Sequence, residues 1–252
     1  MQFLVFQLQA PLSSWGDTAV GEFRGSYDHP GESALIGLVG AALGIRRDDE
    51  AAHSALRQGF GFAVGVQSGG KLLRDYHTAQ VPGRAALKGR RHATRRDELA
   101  VPKDELNTIL STRDYRQEAA SLIAIQPHGD APYSLGALAD ALRKPIYVLY
   151  LGRKSCPPAA PLNPVVVDAD SAMAAFEEYR KRLNEHLEAN RDRRGRLLLE
   201  PVGELTRLVW GDGVEAGISA DLSAPRKDRL IRRQGWQFGD RVEHVALLRR
   251  GD

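Results

Sequence analysis

Cysteine is almost absent from this sequence, with Cys156 the only one among 252 residues. A lone thiol closes no internal disulfide and cannot supply the paired cysteines of a structural zinc site, so a reducing, cytoplasmic setting is expected. No apolar run approaches the length of a membrane span, and no membrane partner is expected. The opening MQFLVFQLQAPLSSWG has a short apolar stretch with no basic region ahead of it, which does not fit a secretory leader and reads as a first strand. H-E-x-x-H, C-x-x-C, P-loop and G-x-S-x-G patterns are missing as well, which removes the common metalloprotease, zinc, nucleotide and serine-hydrolase signals. The glycines from Gly37 to Gly44 and from Gly59 to Gly65 do not match the dinucleotide fingerprint. Neither a cofactor nor a metal is expected, and the 7 histidines are scattered.

Acidic residues are missing from one long stretch, Tyr76 to Arg96, whose second half crowds Arg84, Lys88, Arg90, Arg91, Arg95 and Arg96 around His92. Net charge is only +3, from 35 Lys and Arg against 32 Asp and Glu, so distribution matters more than excess. Further basic clusters stand at Arg191, Arg193, Arg194 and Arg196, and at Arg226, Lys227, Arg229, Arg232 and Arg233. Clustered cations attract polyanions, because each neutralised phosphate releases a counterion. The plain alternative for any one cluster is a solvated loop.

What is present is ordinary globular composition, 42% hydrophobic and 27% charged, which excludes disorder, collagen-like repeats and coiled coil. Residues 3–8 are apolar at nearly every position, as in a strand covered on both faces. A buried helix is expected from Ser33, as N-cap, to Gly44, with Gly37, Gly40 and Gly44 making a smooth stripe. A helix from Asp48 to Gln58, a strand from Gly59 to Val66, a hairpin turn at Ser68 to Gly70 and a strand from Leu72 to Thr78 follow. After the basic stretch come strands at Ser111–Tyr115 and Ala120–Ile125 and a helix at Ser134–Arg143. Pro145–Leu151 reads as a buried strand. A helix from Asp170 to Glu188 carries Ala172, Phe176, Tyr179, Leu183 and Leu187 as its apolar stripe. Short strands are expected at Leu197–Leu199, Leu205–Trp210 and Val242–Leu248, with basic loops between them. The class is α+β.

Aromatic, basic and glycine residues recur together at turns: Trp15-Gly16, Tyr76-His77, Arg113 to Tyr115 and Tyr150 to Lys154. Aromatic faces stack on unpaired bases, cations hold phosphates, and glycine lets a backbone come close, a set that suits single-stranded RNA. Trp15 serves equally as a core anchor, Tyr150 fits inside a strand, and the glycine stripe fits a helix seated on a sheet.

The order LQAPLSSWG, HPGESALIGLVGAALGIRRDD, DYHTAQVP, STRDYRQEA and YLGRKSCPPAAPL resembles the CasD family, the CRISPR-associated RAMP subunit of type I-E Cascade, over residues 1 to about 164. The resemblance implies a single domain over 1–252 with a modified ferredoxin-like (RRM-like) RAMP fold. A protruding β-hairpin thumb would sit at about 82–107 and a C-terminal elaboration at about 165–252. It implies a subunit that caps the 5′ handle of the crRNA, leans its thumb on the Cascade backbone subunit and lies near the large subunit. Target DNA would be met only through the assembled complex. Carried onto this chain, Gly37, Gly40, Gly44, Gly152, Arg153 and Lys154 would border the handle. Arg84, Lys88, Arg90 and Arg91 would reach RNA or the neighbouring subunit, with Arg113 beside them and Trp15 and Tyr115 as base-stacking candidates.

Two functions of different class follow. One is a non-catalytic RNA-binding subunit. The other is a metal-independent CRISPR repeat endoribonuclease, for which Tyr76, His77, Lys88 and His92 would supply base, acid and phosphorane-stabilising cation. Adjacent residues of a regular strand face opposite ways, which sets Tyr76 and His77 against one shared phosphate.

Overall fold

A computed structural model describes residues 1–16, 21–91, 93–192, 194–196, 202–232, 235 and 237–248. The expected strand at Leu197–Leu199, together with His92, Arg193 and Arg233, lies outside the described residues. In chain order the elements are β1 (Gln2–Ser13), β2 (Trp15–Gly16), β3 (Phe23–Arg24), β4 (Ser26–Tyr27), α1 (Glu32–Leu43), α2 (Glu50–Gly59), β5 (Phe60–Ser68) and β6 (Lys71–Pro82). Then come α3 (Arg95–Leu99), β7 (Leu106–Pro127), α4 (Leu135–Arg143), β8 (Val165–Asp168), α5 (Ala172–Ala189), β9 (Arg207–Gly211), β10 (Leu222–Arg232) and β11 (Gln237–Leu247).

Both parities of β1 are apolar because helices cover the sheet on both sides. Leu4, Phe6 and Leu8 pack with α1, α2 and α4, whereas Phe3 and Val5 pack with α5 through Ala175, Phe176 and Tyr179. The sheet runs β10-β11-β9-β5-β7-β1-β8, with β3 and β6 on further stretches of β7, and β2–β4 forms a separate two-stranded sheet. The pairings are antiparallel except for β3, which runs parallel to β7. The expected mixture of helices and sheet is what the chain forms.

Several local expectations are corrected. The residues Ser68 to Gly70 do not turn a hairpin. Val66 lies opposite Ser121 and Lys71 opposite Gln117, so β5 and β6 continue in one direction along the same edge of β7. The two glycines instead form a kink, with Gly70 at φ +68 facing Glu118 at φ +56 across the ladder. The two strands expected after the basic stretch are one, the 22-residue β7. The true hairpin is β6–β7, running from Lys71–Gln117 to Pro82–Leu106. The segment 83–105 is therefore its cap, and the arms lie outside the 82–107 boundary. The cap holds α3, started by a Thr94–Asp97 capping box, and a 3-10 turn at Lys103–Glu105, and neither buries a side chain.

Pro145–Leu151 is not a buried strand. Ile146 and Tyr147 donate their backbone N–H groups to Ala42 O and Ala41 O at the end of α1, at 3.0 and 3.1 Å. Leu149 and Leu151 enter the core, but Ile146 and Val148 stay 69% and 84% exposed. The stretch has strand composition but lies across a helix end, where no ladder partner is offered. Ser33 does not cap α1 either. Gly31 is the N-cap residue, and the Glu32 N–H donates to Asp228 Oδ2 at 3.0 Å, so a strand nearly two hundred residues away supplies the cap.

Candidate nucleic-acid interface

The β6–β7 arms leave the body at the Gly70–Glu118 kink, and the first residues beyond it gather cations from distant parts of the chain. Arg74 of β6 lies opposite Asp114 of β7 and donates to both its carboxylate oxygens, Nε to Oδ1 at 2.9 Å and Nη2 to Oδ2 at 3.1 Å. Asp114 is buried, and this bidentate bond, with the fields of Arg116 and Arg153, holds its carboxyl below the ordinary range against the opposing effect of burial. Arg24 is brought alongside by the pairing of β3, in register with Arg113. Arg116 donates Nη2 to Ser26 O at 3.3 Å, and its Nε is buried without a hydrogen bond.

Arg153 completes the group. Its guanidinium stands 4.6 Å above the Tyr115 ring and donates to Asp114 O and Arg24 O, both at 3.2 Å. Those acceptors are carbonyls, so they leave its charge uncompensated. The preceding Gly152 is fixed by two requirements. Its φ is +87, and a Cβ there would lie 1.7 Å from Ser14 O, so only glycine lets the turn press against the end of β1. Lys154 follows, exposed. Arg74, Arg116 and Arg153 thus act on one buried carboxylate, Arg153 from above Tyr115, while Arg24 and Arg113 lie in register beside them.

In the cap, Arg84, Lys88, Arg90 and Arg91 are all exposed. Arg90 is tied to Ala100 O within the cap, and Arg95 to Gln80 O, which stitches the cap to the β6 arm.

The other expected residues fare differently. Trp15 is buried in the core on the face of the sheet covered by α1, α2 and α4, so no base can stack on it. Gly40 does not open a path for RNA, because a Cβ there would sit 2.8 Å from His53 Cε1. Gly44 is the left-handed cap of α1, and its Cβ position is 2.8 Å from Ile146 Cδ1. Gly37 is half-buried on the same helix. At Gly40 and Gly44, then, the stripe seats α2 and the 145–151 strap. Tyr150 is half-buried outside any strand. Tyr76 and His77 lie opposite Thr112 and Ser111 on a regular ladder, hence on opposite faces, and His77 Nδ1 is 3.7 Å from Asp75.

The C-terminal basic cluster is not a free cationic face. Arg226 is buried and lies over Tyr27, with Nη1 bonded to Glu243 Oε2 at 2.7 Å and to His29 Nε2 at 2.5 Å. Arg241 bridges Asp228, at 2.6 and 3.0 Å, and Glu243, at 2.5 Å. Arg229 holds Glu32 and Arg207 holds Asp28, whose carboxyl the His29 hydrogen bond pulls far below its usual range. Glu243 is raised by burial, but His29, Arg226 and Arg241 bring it down to about 2. A cavity of about 70 Å³ beside this bed is lined by Arg57, Arg229 and Arg241 against Glu32, Asp212 and Glu243, a balance that gives an anion no preference. In the cluster at 191–196, Arg191 pairs with Glu188 and Arg196 with Asp192. Among the described residues, no cluster of His, Cys, Asp and Glu could hold a metal ion, and no helix is long and apolar enough to cross a membrane.

A family model described as CRISPR-associated protein (Cas_Cas5) matches residues 3–237. The chain belongs to the Cas5 family. It is also 33% identical over 185 residues to the CRISPR system Cascade subunit CasD of Escherichia coli (strain K12), covering 70% of this chain and 76% of that protein. Among solved structures, a chain of a CRISPR RNA-guided surveillance complex matches with TM-score 0.62 at 24% identity, covering 97% of this chain and 89% of the other. A further Cas protein crystal structure matches with TM-score 0.58 at 22% identity, over 98% and 94%. The resemblance drawn from the motifs is therefore correct, and the Cas5 fold extends through the C-terminal third, where the motifs were silent. Sequence reasoning on this Cas5 chain missed Arg24, Arg74 and Arg116 at the hairpin root. Arg116 lies within the motif STRDYRQEA, beside Tyr115, whereas only the strand register brings Arg24 and Arg74 there.

Proposed function

We propose that this chain is a non-catalytic RNA-binding subunit of a type I-E Cascade, which caps the 5′ handle of the crRNA and contacts the backbone and large subunits. Target DNA is met only through the assembled complex, in the cytoplasm. On this account the sheet and helices are a modified ferredoxin-like RAMP domain, and the β6–β7 hairpin is its thumb. One observation carries the RNA-binding part: strand register and the turn at Gly152 bring five arginines from four separate segments to the hairpin root, where a single buried carboxylate, that of Asp114, pairs with Arg74 alone, and Tyr115 and Lys154 lie beside them. Such an excess of guanidinium suits phosphate, and the Arg153 guanidinium held over the partly buried Tyr115 ring suits an unpaired base. The separation of Tyr76 and His77 onto opposite faces weighs against repeat cleavage by that pair.

The test mixes the purified protein with end-labelled CRISPR repeat RNA in EDTA at two salt concentrations, beside a scrambled RNA, and runs the RNA on a denaturing gel. Where the isolated chain binds nothing, co-expression with the other Cascade subunits replaces it. Intact RNA held in a handle-dependent, salt-sensitive way is expected. A single cut, lost in His77→Ala, would make the chain an endoribonuclease.

A further inference from the structure

We propose that Asp114 is a positioning residue for RNA recognition: its buried carboxylate sets the angle at which the β6–β7 hairpin leaves the body, and so fixes the spacing of the arginines at its root. This rests on the RNA-binding reading above. Past Thr112 the ribbon is two-stranded, with Tyr76, Ile109 and Leu110 open to solvent. A two-stranded ribbon has little of its own to hold its direction. What holds this one is its root, where Asp114 lies between the last β1 pairing, at Arg116, and the β3 pairing, at Thr112 and Arg113. The Asp114 carboxylate takes both donors of Arg74, and Arg74 in turn lies 5.4 Å over the Phe23 ring. The Asp114 carbonyl accepts from Ser14 Oγ at 3.0 Å and from Arg153 Nη1 at 3.2 Å. Ser14 and Arg153 therefore meet the ribbon at the Asp114 carbonyl, and Phe23 meets it through Arg74, which the Asp114 carboxylate holds across the ribbon.

Charge alone argues against an aspartate here. A surface that attracts a polyanion loses attraction with every carboxylate in it, and this one is buried, where an ionised group is costly unless paired. Its contribution is therefore geometric: it holds Arg74 across the ribbon and over Phe23 as a brace, and so sets where Arg113, Arg116 and Arg153 stand along the root. A fixed array discriminates one RNA shape from another, whereas mobile cations bind all RNA alike.

Asp114→Asn separates the two effects, since it removes the charge and keeps the size and the backbone carbonyl. In co-expressed complexes, binding to handle-bearing RNA should fall about tenfold, the scale of a broken charged hydrogen-bond pair, while binding to scrambled RNA holds or rises. Hydrogen exchange should quicken in residues 71–82 and 106–117 and stay unchanged in residues 122–125. Arg74→Gln, at the exposed end of the pair, should quicken the same exchange and lower the ratio of handle to scrambled binding, with both affinities reduced by the lost cation, and serves if the aspartate variant does not fold. An unchanged ratio of handle to scrambled binding in the variants, or unchanged exchange in the hairpin, overturns the proposal. Wild-type complexes with no handle preference overturn the RNA-binding reading itself, a failure recognised because it is already present before any substitution.

Discussion

The Asp228 carboxylate occupies the space that a side chain on Gly31 would need: a Cβ there would lie 2.3 Å from Oδ2. The backbone at Gly31 is unstrained, at φ −88, so the demand for glycine is one of room alone. That carboxylate also accepts the first amide of α1 and both donors of Arg241, so it cannot move aside without breaking three bonds. Gly31→Ala should therefore destabilise the fold by about 1–3 kcal/mol, as overpacking does. Urea unfolding measures it. Gly136→Ala in α4 is the control, neutral or stabilising, because the nearest atom to its Cβ is Ser134 Oγ at 3.9 Å. Equal effects at the two sites would contradict the account.

The same ionic bed predicts an acid limit. Glu243 has a folded-state pKa brought down to about 2 from 4.5, so its contribution is complete above 4.5 and is lost as pH falls through the folded value. Stability should decline between pH 4.5 and 2, with about 3 kcal/mol traceable to this group as an upper figure. Glu243→Gln should be less stable than wild type at pH 7, because Arg226 and Arg241 lose a carboxylate, and the difference should shrink toward pH 2. A difference constant across that range would sink the assignment.

Trp15 and Tyr115 should separate cleanly. Trp15→Ala removes a buried core side chain and should cost about 3–5 kcal/mol of stability, with RNA affinity unchanged in whatever fraction stays folded. Tyr115→Ala removes the surface under Arg153 and should weaken RNA binding with a smaller loss of stability. Thermal melts and filter binding on the same preparations decide. A Trp15 variant that folds normally and loses RNA would reverse the assignment.

The cap cations test as a set. Arg84, Lys88 and Arg91, replaced together by alanine, should reduce the log-log salt slope of RNA binding by about one unit for each phosphate they no longer neutralise. An unchanged slope with loss of assembly would assign these residues to a neighbouring subunit.

The elements that were legible in the sequence are those whose neighbours lie close along the chain or whose pattern records burial. β1 shows cover on both faces, and Ser134 caps α4 as its position before an amphipathic run suggests. α5 opens one residue after the expected Asp170, at its Ser171 cap. β10 has the sequence of a basic loop because its inward residues, Arg226 and Asp228, are charged, and alternation of charge with charge carries no period-two signal. Long-range ion pairs leave no local trace. The strap at Pro145–Leu151 failed in the opposite sense, since its composition is that of a strand and only the end of α1 beneath it decides otherwise. The interface was legible in part: Arg113, Tyr115 and Gly152 to Lys154 stand out as turn-forming aromatic and basic groups. Arg24 and Arg74 became members only when β3, β6 and β7 came into register.

The most direct measurement is photo-crosslinking of a crRNA carrying a photoreactive base in its 5′ handle, in complexes assembled by co-expression, followed by mass spectrometry of the attached peptides. The account predicts attachment to this chain at the hairpin root, in the peptides bearing Arg113 and Tyr115 and bearing Arg153 and Lys154. Attachment only to other subunits, or only to peptides far from that root, would contradict it.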